Sequence, residues 1–301
     1  MSEDAPLKVE AVGEVDWVTL DRPDRLNALN QPLADALLDY FLRKRRDAGA
    51  RVIVIAGAGR AFCSGADLKA TGQPDQLRDG ADGDWVLRDV LKAMRACPQP
   101  IIALVHGAAA GGGLAIALAA DIIVAGRSAT FHPAFIRIGL SGTELGVSWR
   151  LQRTISLSRA REMLLTGRAM DAAEAYRTGL AARAVEDSDL RACGASLAEE
   201  MLKAAPDALR ISKRAFDASL EIPSFELALE VEERGQILMV RQHAGAAFSI
   251  PSKRAEDANT YGPVRRRTRR APSSRKRHAI TRPGRRCIGI SLARSRNLCG
   301  A

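Results

Sequence analysis

Two short stretches carry the residues best suited to chemistry. One is Arg60-Ala61-Phe62-Cys63-Ser64-Gly65-Ala66-Asp67-Leu68, and the other is His106 to Gly113, ending in three glycines. What both offer is backbone rather than side chains. Glycines let another molecule come close to peptide N–H groups. The apolar stretch that follows, Leu114 to Ala120, predicts a helix buried on every side. The amino end of such a helix carries unpaired N–H groups and the positive end of its dipole. That arrangement suits negative charge held on an oxygen. A glycine-lined packing contact between helix and sheet is the alternative, and the run lacks the spaced GxGxxG of dinucleotide folds.

The elements around these stretches are read from periodicity. Leu7 to Ala11 and Val15 to Leu20 alternate around Gly13 and predict a hairpin, broken by Asp21-Arg22-Pro23. Gln31 to Ala48 has helical spacing, with Leu33, Ala36, Leu37, Tyr40 and Phe41 on one face. Arg51 to Ala56 reads as a buried strand, followed by the glycine-rich loop Gly57 to Gly65 and a short helix from about Asp67. Thr71 to Asp84 reads as a mobile loop, Trp85 to Ala96 as a helix, and Ile101–Val105 and Ile122–Ala125 as strands. Strand and helix alternate, which favours a parallel sheet covered by helices and puts both loops at the carboxyl ends of strands, where α/β proteins bind ligands. Beyond Ser158 the strands largely stop and helical patterns take over, from Arg159–Leu165 to Phe225–Gln242.

Bulk properties narrow the function classes. The 301 residues are 47% hydrophobic, enough for a sizeable core, and no apolar run approaches the ~18 residues that span a bilayer. The first thirty residues show no secretory pattern. Five scattered cysteines without a CxxC pair point to reduced thiols in the cytoplasm and no zinc site. The net charge of +10 is unevenly spread: residues 261–301 hold thirteen Lys or Arg and no Asp or Glu, which leaves residues 1–260 at −3. This tail, with RRRTRRAPSSRKRH from Arg265, predicts a disordered appendage. Without interleaved aromatics or a recognised fold, nucleic-acid binding is not expected of it.

The pairing of FCSGADL with AAAGGGLAIALAAD, after LDRPDRLNALN, resembles the crotonase (enoyl-CoA hydratase/isomerase) superfamily, from about Val9 to about Gln242. The resemblance implies an α/β fold: a spiral of ββα turns over residues 1–185, with a helical region (186–250) that trimerises, and the basic tail at 261–301. It also implies acyl-CoA thioester substrates without a separate cofactor or metal, in a cytoplasmic homotrimer or a hexamer of two trimers, away from membranes. The backbone N–H groups of Ala66 and Gly112 then form an oxyanion hole around the thioester oxygen, each donor contributing roughly 3 kcal/mol in the transition state. Arg25, Leu26 and Ala28, with Ala66, Asp67, Leu68 and Lys69, match the positions lining the CoA nucleotide, and Gly111 adjoins the hole. Arg25 or Lys69 is placed to pair with a phosphate or to remain a solvated charge. Asp67 reads as the N-cap of the short helix rather than a catalyst.

This chain departs from the hydratase pattern at both of its glutamates. The matching positions are Ala115, in GGG-x-E, and Ala134, in Phe131-His132-Pro133-Ala134. Alanine transfers no proton, so double-bond isomerisation is favoured over hydration. Glu144 falls on the column where dienoyl-CoA isomerases carry an aspartate, and a carboxylate in an apolar pocket is a better base. Alternatively, Glu144 complements the dipole of a helix over Val147–Ile155, with Thr143 as its cap. His132 and His106 read as structural, Cys63 as a small filler, and Ser141 and Ser148 lack triad partners. A non-catalytic acyl-CoA-binding family member is the other reading.

Overall fold

The amino-terminal hairpin forms as its alternation requires. Strand β1 (Leu7–Val12) pairs antiparallel with β2 (Val15–Leu20) in the register Leu7 to Leu20, and Gly13 turns at φ +59°. The structure is a computed structural model and describes residues 5–47, 49–67 and 86–242, all within one unit, Met1–Ala247. Leu68, Lys69, the loop at 71–84 and the basic tail therefore lie outside the described residues.

Asn30 caps helix α1 (Gln31–Lys44) by accepting from the Leu33 N–H. The helix ends earlier than its spacing suggests, because Arg45 begins the turn toward β3 (Val52–Gly57). Helix α2 (Val86–Ala96), β4 (Ile101–Val105), β5 (Ala108–Ala110), α3 (Gly112–Ala119), β6 (Ile122–Gly126) and β7 (Thr130–His132) follow. After a short 3-10 turn at Ala134–Ile138 come α4 (Val147–Thr154), α5 (Leu157–Thr166), β8 (Met170–Asp171), α6 (Ala172–Thr178) and β9 (Arg183–Val185). Three helices complete the described chain: α7 (Leu190–Leu202), α8 (Pro206–Ser219) and α9 (Phe225–Gln242).

Six strands form the main sheet in the order β1-β2-β3-β4-β6-β9, parallel from β2 onward, and β5-β7-β8 form a second, small sheet. Strand β5 was not foreseen: its alanines have weak strand propensity, and only pairing with β7 and with Cys63 makes them a strand. Strands β8 and β9 extend the sheets past Ser158, where the sequence shows mostly helical patterns. The result is a spiral. Strands β3, β4 and β6 lie in the main sheet, while β5 and β7 answer them in the small one, which Cys63 adjoins by a single bridge to Ala109. Alternate residues explain why the main strands are apolar throughout. Ile53, Ile55, Ala103 and Val105 face the larger core with α1 to α6, and Val52, Val54, Ile102 and Leu104 face Leu190 and Ala198 of α7.

The two loops singled out above are laced together by main chain. Phe62 N–H donates to the His106 carbonyl (2.8 Å), Cys63 N–H to Ala108 (3.0 Å) and Ala110 N–H to Cys63 (2.9 Å). The approach is close enough that a Cβ on Gly113 would stand 2.2 Å from the Cys63 carbonyl oxygen. Gly113→Ala is therefore expected to lower stability by about 2 kcal/mol in urea unfolding, although alanine normally gains in a helix. An unchanged or raised midpoint would show that the loops are not so tightly joined.

Candidate active site

A cavity of about 790 Å³ opens where the two loops meet. Ala66, Gly111, Gly112, Ala115, Ala134 and Glu144, which sequence comparison had drawn from separate segments, all line it. Gly111 holds φ +51° before α3, and its N–H donates to the His132 carbonyl, so the chain enters the helix with the Gly112 N–H in the first turn and outside the helical ladder. Ala66 forms a parallel bridge with Leu29, and the bonds of that bridge run through Gly65 and Asp67. The N–H of Ala66 is thereby turned away from Leu29. Gly65, at φ +88°, lets the loops close: a Cβ there would meet the Ala110 oxygen at 2.7 Å and the Gly112 nitrogen at 3.4 Å.

Glu144 reaches the cavity through an unusual turn. Leu145 (φ +51°) and Gly146 (φ +71°) are consecutive left-handed residues, and Gly146 is the N-cap of α4. The capping role considered for Thr143 is thus corrected: its hydroxyl meets Ser141 Oγ at 2.9 Å. Glu144 stands two residues before the cap, and its carboxylate has no hydrogen bond or ion pair among the described residues. The other carboxylates of the cavity are engaged. Asp121 accepts from Lys213 Nζ (2.8 Å) and the Ile101 N–H (2.7 Å), while Asp217 and Glu221 flank Arg95 at 3.7 and 3.2 Å.

The segment expected to meet the nucleotide lies beside this cavity rather than in its wall. Arg25 is exposed, Leu26 half-buried and Ala28 buried, and none of the three lines the cavity. They adjoin it through Ser64, whose N–H donates to the Leu26 carbonyl (3.0 Å). Asp67, read as a helix cap, is buried and paired with Arg22 at 2.9 Å; the helix it would cap lies outside the described residues. Arg22 and Asn27 are the positions that sequence reading missed. Asn27 is fully buried at φ +55°, and its side-chain amide donates to the carbonyls of Ala58, Ala61 and Phe62. An asparagine is tolerated in that left-handed conformation and carries the donors to join three carbonyls, which was the available signal.

The remaining candidates fall into supporting places. His132 bonds Thr130 Oγ1 through Nε2 (2.8 Å), and burial, with the charge of Arg137, holds its pKa below the usual value. His106 Nε2 meets the Gly59 carbonyl at 2.8 Å. Cys63 is fully buried, its Sγ is 3.1 Å from the Asn27 carbonyl, and burial pushes its pKa up to about 12. A thiol so held is no nucleophile near neutrality.

Residues 10–243 match the enoyl-CoA hydratase/isomerase family. A probable enoyl-CoA hydratase of Mycobacterium tuberculosis is 38% identical over 232 residues, covering 75% of this chain and 81% of that protein. The (E)-benzylidenesuccinyl-CoA hydratase of Thauera aromatica is 36% identical over 229 residues, 72% of this chain and 84% of that protein. Among solved structures, a monofunctional enoyl-CoA isomerase from M. smegmatis is 37% identical with a TM-score of 0.65, covering 75% of this chain and 98% of that one. With two backbone loops meeting over a cavity and likeness running through nearly all of the described chain, the protein belongs to the enoyl-CoA hydratase/isomerase family, the crotonase superfamily of acyl-CoA enzymes.

Proposed function

We propose that the protein moves a carbon–carbon double bond within an unsaturated acyl-CoA thioester. The Ala66 and Gly112 N–H groups receive the thioester oxygen, and Glu144 takes a proton from the α-carbon of a 3-enoyl chain. The electrons left behind spread over the diene and the oxygen as a dienolate, which the two donors stabilise. Glu144 then returns the same proton to the γ-carbon, giving the conjugated 2-enoyl product. One carboxylate is enough for this shuttle. Adding water needs groups to handle it at positions 115 and 134, where the cavity wall presents methyl groups. The observation that carries this reading is that Glu144 is the cavity carboxylate left without a partner among the described residues.

The same reading puts the protein in the cytoplasm as a homotrimer or a pair of trimers. Exposed Phe216 on α8 and Phe225 and Leu238 on α9 supply apolar surface for such an assembly. Arg25 is a described cation offered to a CoA phosphate, with Leu26 and Ala28 beside it.

The test is turnover of a 3-enoyl-CoA and of crotonyl-CoA by the full chain. Conversion of the first with little hydration of the second is expected. Hydration of crotonyl-CoA as fast as isomerisation would overturn the assignment, and tight acyl-CoA binding without turnover would favour a non-catalytic binding protein.

A further inference from the structure

The far end of the cavity is built differently from the end at the two N–H groups. Lining residues on α2 come at Arg88, Leu91, Lys92 and Arg95, a single helical face, and α3 contributes Gly112, Ala115, Leu118 and Ala119. The two helices start together, because a Cβ on Gly112 would stand 2.8 Å from Leu87 Cδ2. They also finish near common partners: the Arg95 guanidinium lies 4.6 Å from the Trp149 ring centre, and Arg150 donates to the Ala120 carbonyl at 3.4 Å. At 1.5 Å of rise per residue, Gly112 and Ala119 are separated by about 10 Å. An acyl chain held at the hole and laid along α3 therefore passes Leu118 and ends near the polar groups of Arg95, Trp149, Arg150 and Asp217.

Donors and acceptors are not evenly spent there. Asp121 is neutralised by buried Lys213, and Asp217 and Glu221 share Arg95. The Arg150 guanidinium has no carboxylate within ion-pair distance among the described residues, although its charge is felt by Asp217, and its one hydrogen bond is the long one to the Ala120 carbonyl. A guanidinium carries five N–H donors in a planar fork, so most of those of Arg150 remain to be used. Burial raises the Asp217 carboxyl above its ordinary value, against the charges of Arg95, Lys213 and Arg150, which lower it.

We infer that Arg150 receives an anionic group at the distal end of the acyl chain, so that the cavity prefers acyl-CoA thioesters ending in a second carboxylate to plain alkyl ones. The inference rests on the acyl-CoA reading of the cavity. A carboxylate uses the fork bidentately, and the stacked Arg95–Trp149 pair limits the space in which the chain end can swing.

Isothermal titration of the full chain with non-reacting, length-matched pairs tests it: hexanoyl-CoA against adipoyl-CoA, and octanoyl-CoA against suberoyl-CoA. Suberoyl-CoA or adipoyl-CoA is expected to bind about tenfold more tightly than its partner. Arg150→Gln brings that ratio close to one, and Arg150→Lys restores part of it. Should the alkyl thioesters bind as well as or better than the dicarboxylic ones, the inference is overturned while the acyl-CoA reading stands. If no thioester binds, both fall together.

Discussion

Glu144→Gln is expected to lower kcat on a 3-enoyl-CoA by about 1,000-fold and leave substrate affinity within about twofold. Glutamine keeps the shape and polarity of the side chain and loses only the ability to accept and return a proton. In the proposed mechanism the thioester oxygen still meets the Ala66 and Gly112 N–H groups, so binding persists. The asymmetry between kcat and affinity marks a group that acts in the transition state rather than in the ground state. Following the absorbance of the conjugated product, with Kd from a saturated analogue, separates the two. A kcat within tenfold of the wild type would remove Glu144 from the mechanism. Loss of affinity equal to the loss of kcat would make it a binding residue.

Asn27→Ala is expected to lower stability as much as truncating a large core side chain. The native amide joins the carbonyls of Ala58, Ala61 and Phe62, and its Oδ1 accepts from the Arg22 N–H at 2.9 Å. Alanine leaves these buried groups short of partners and must still adopt φ +55°, which an L side chain without a polar atom resists. Together these amount to about 3 kcal/mol, a large part of the stability of an ordinary domain. Urea unfolding measures it. Because Asn27 also holds the loop that leads to Ala66, kcat should fall even at temperatures where the variant is folded. A stability loss under about 1 kcal/mol would mean that water replaces the amide.

Much of this was readable in the sequence for definite reasons. The strands of the main sheet are short apolar runs bounded by glycine and polar residues, and α3 is apolar all round because it is enclosed. The convergence of Ala66, Gly112, Ala115, Ala134 and Glu144 on one cavity was expected from the family motifs that carry them. Other features depend on partners distant in sequence. Nothing local marks Ala108–Ala110 as a strand, Asp67 as the partner of Arg22, or Gly146 as the cap in place of Thr143. Asn27 and Arg22 lie inside a quoted motif, yet their role emerges only when the loop at 58–62 folds onto them. The polar end of the cavity was equally hidden, because it gathers residues from α2, α4 and α8 that share no pattern.

In the proposed mechanism the two donors are peptide N–H groups, carried on loops that the lacing of Cys63 to Ala108 and Ala110 joins. Side-chain replacement does not delete a peptide bond; a change to proline is the exception that removes its hydrogen. On that reading the groups that stabilise charge are reached by point mutation only indirectly, through residues such as Asn27 that hold their loops, whereas the groups that move protons or greet the chain end are ordinary side chains. A protein organised this way can lose one reaction and acquire another without passing through a form that has forgotten how to hold an enolate.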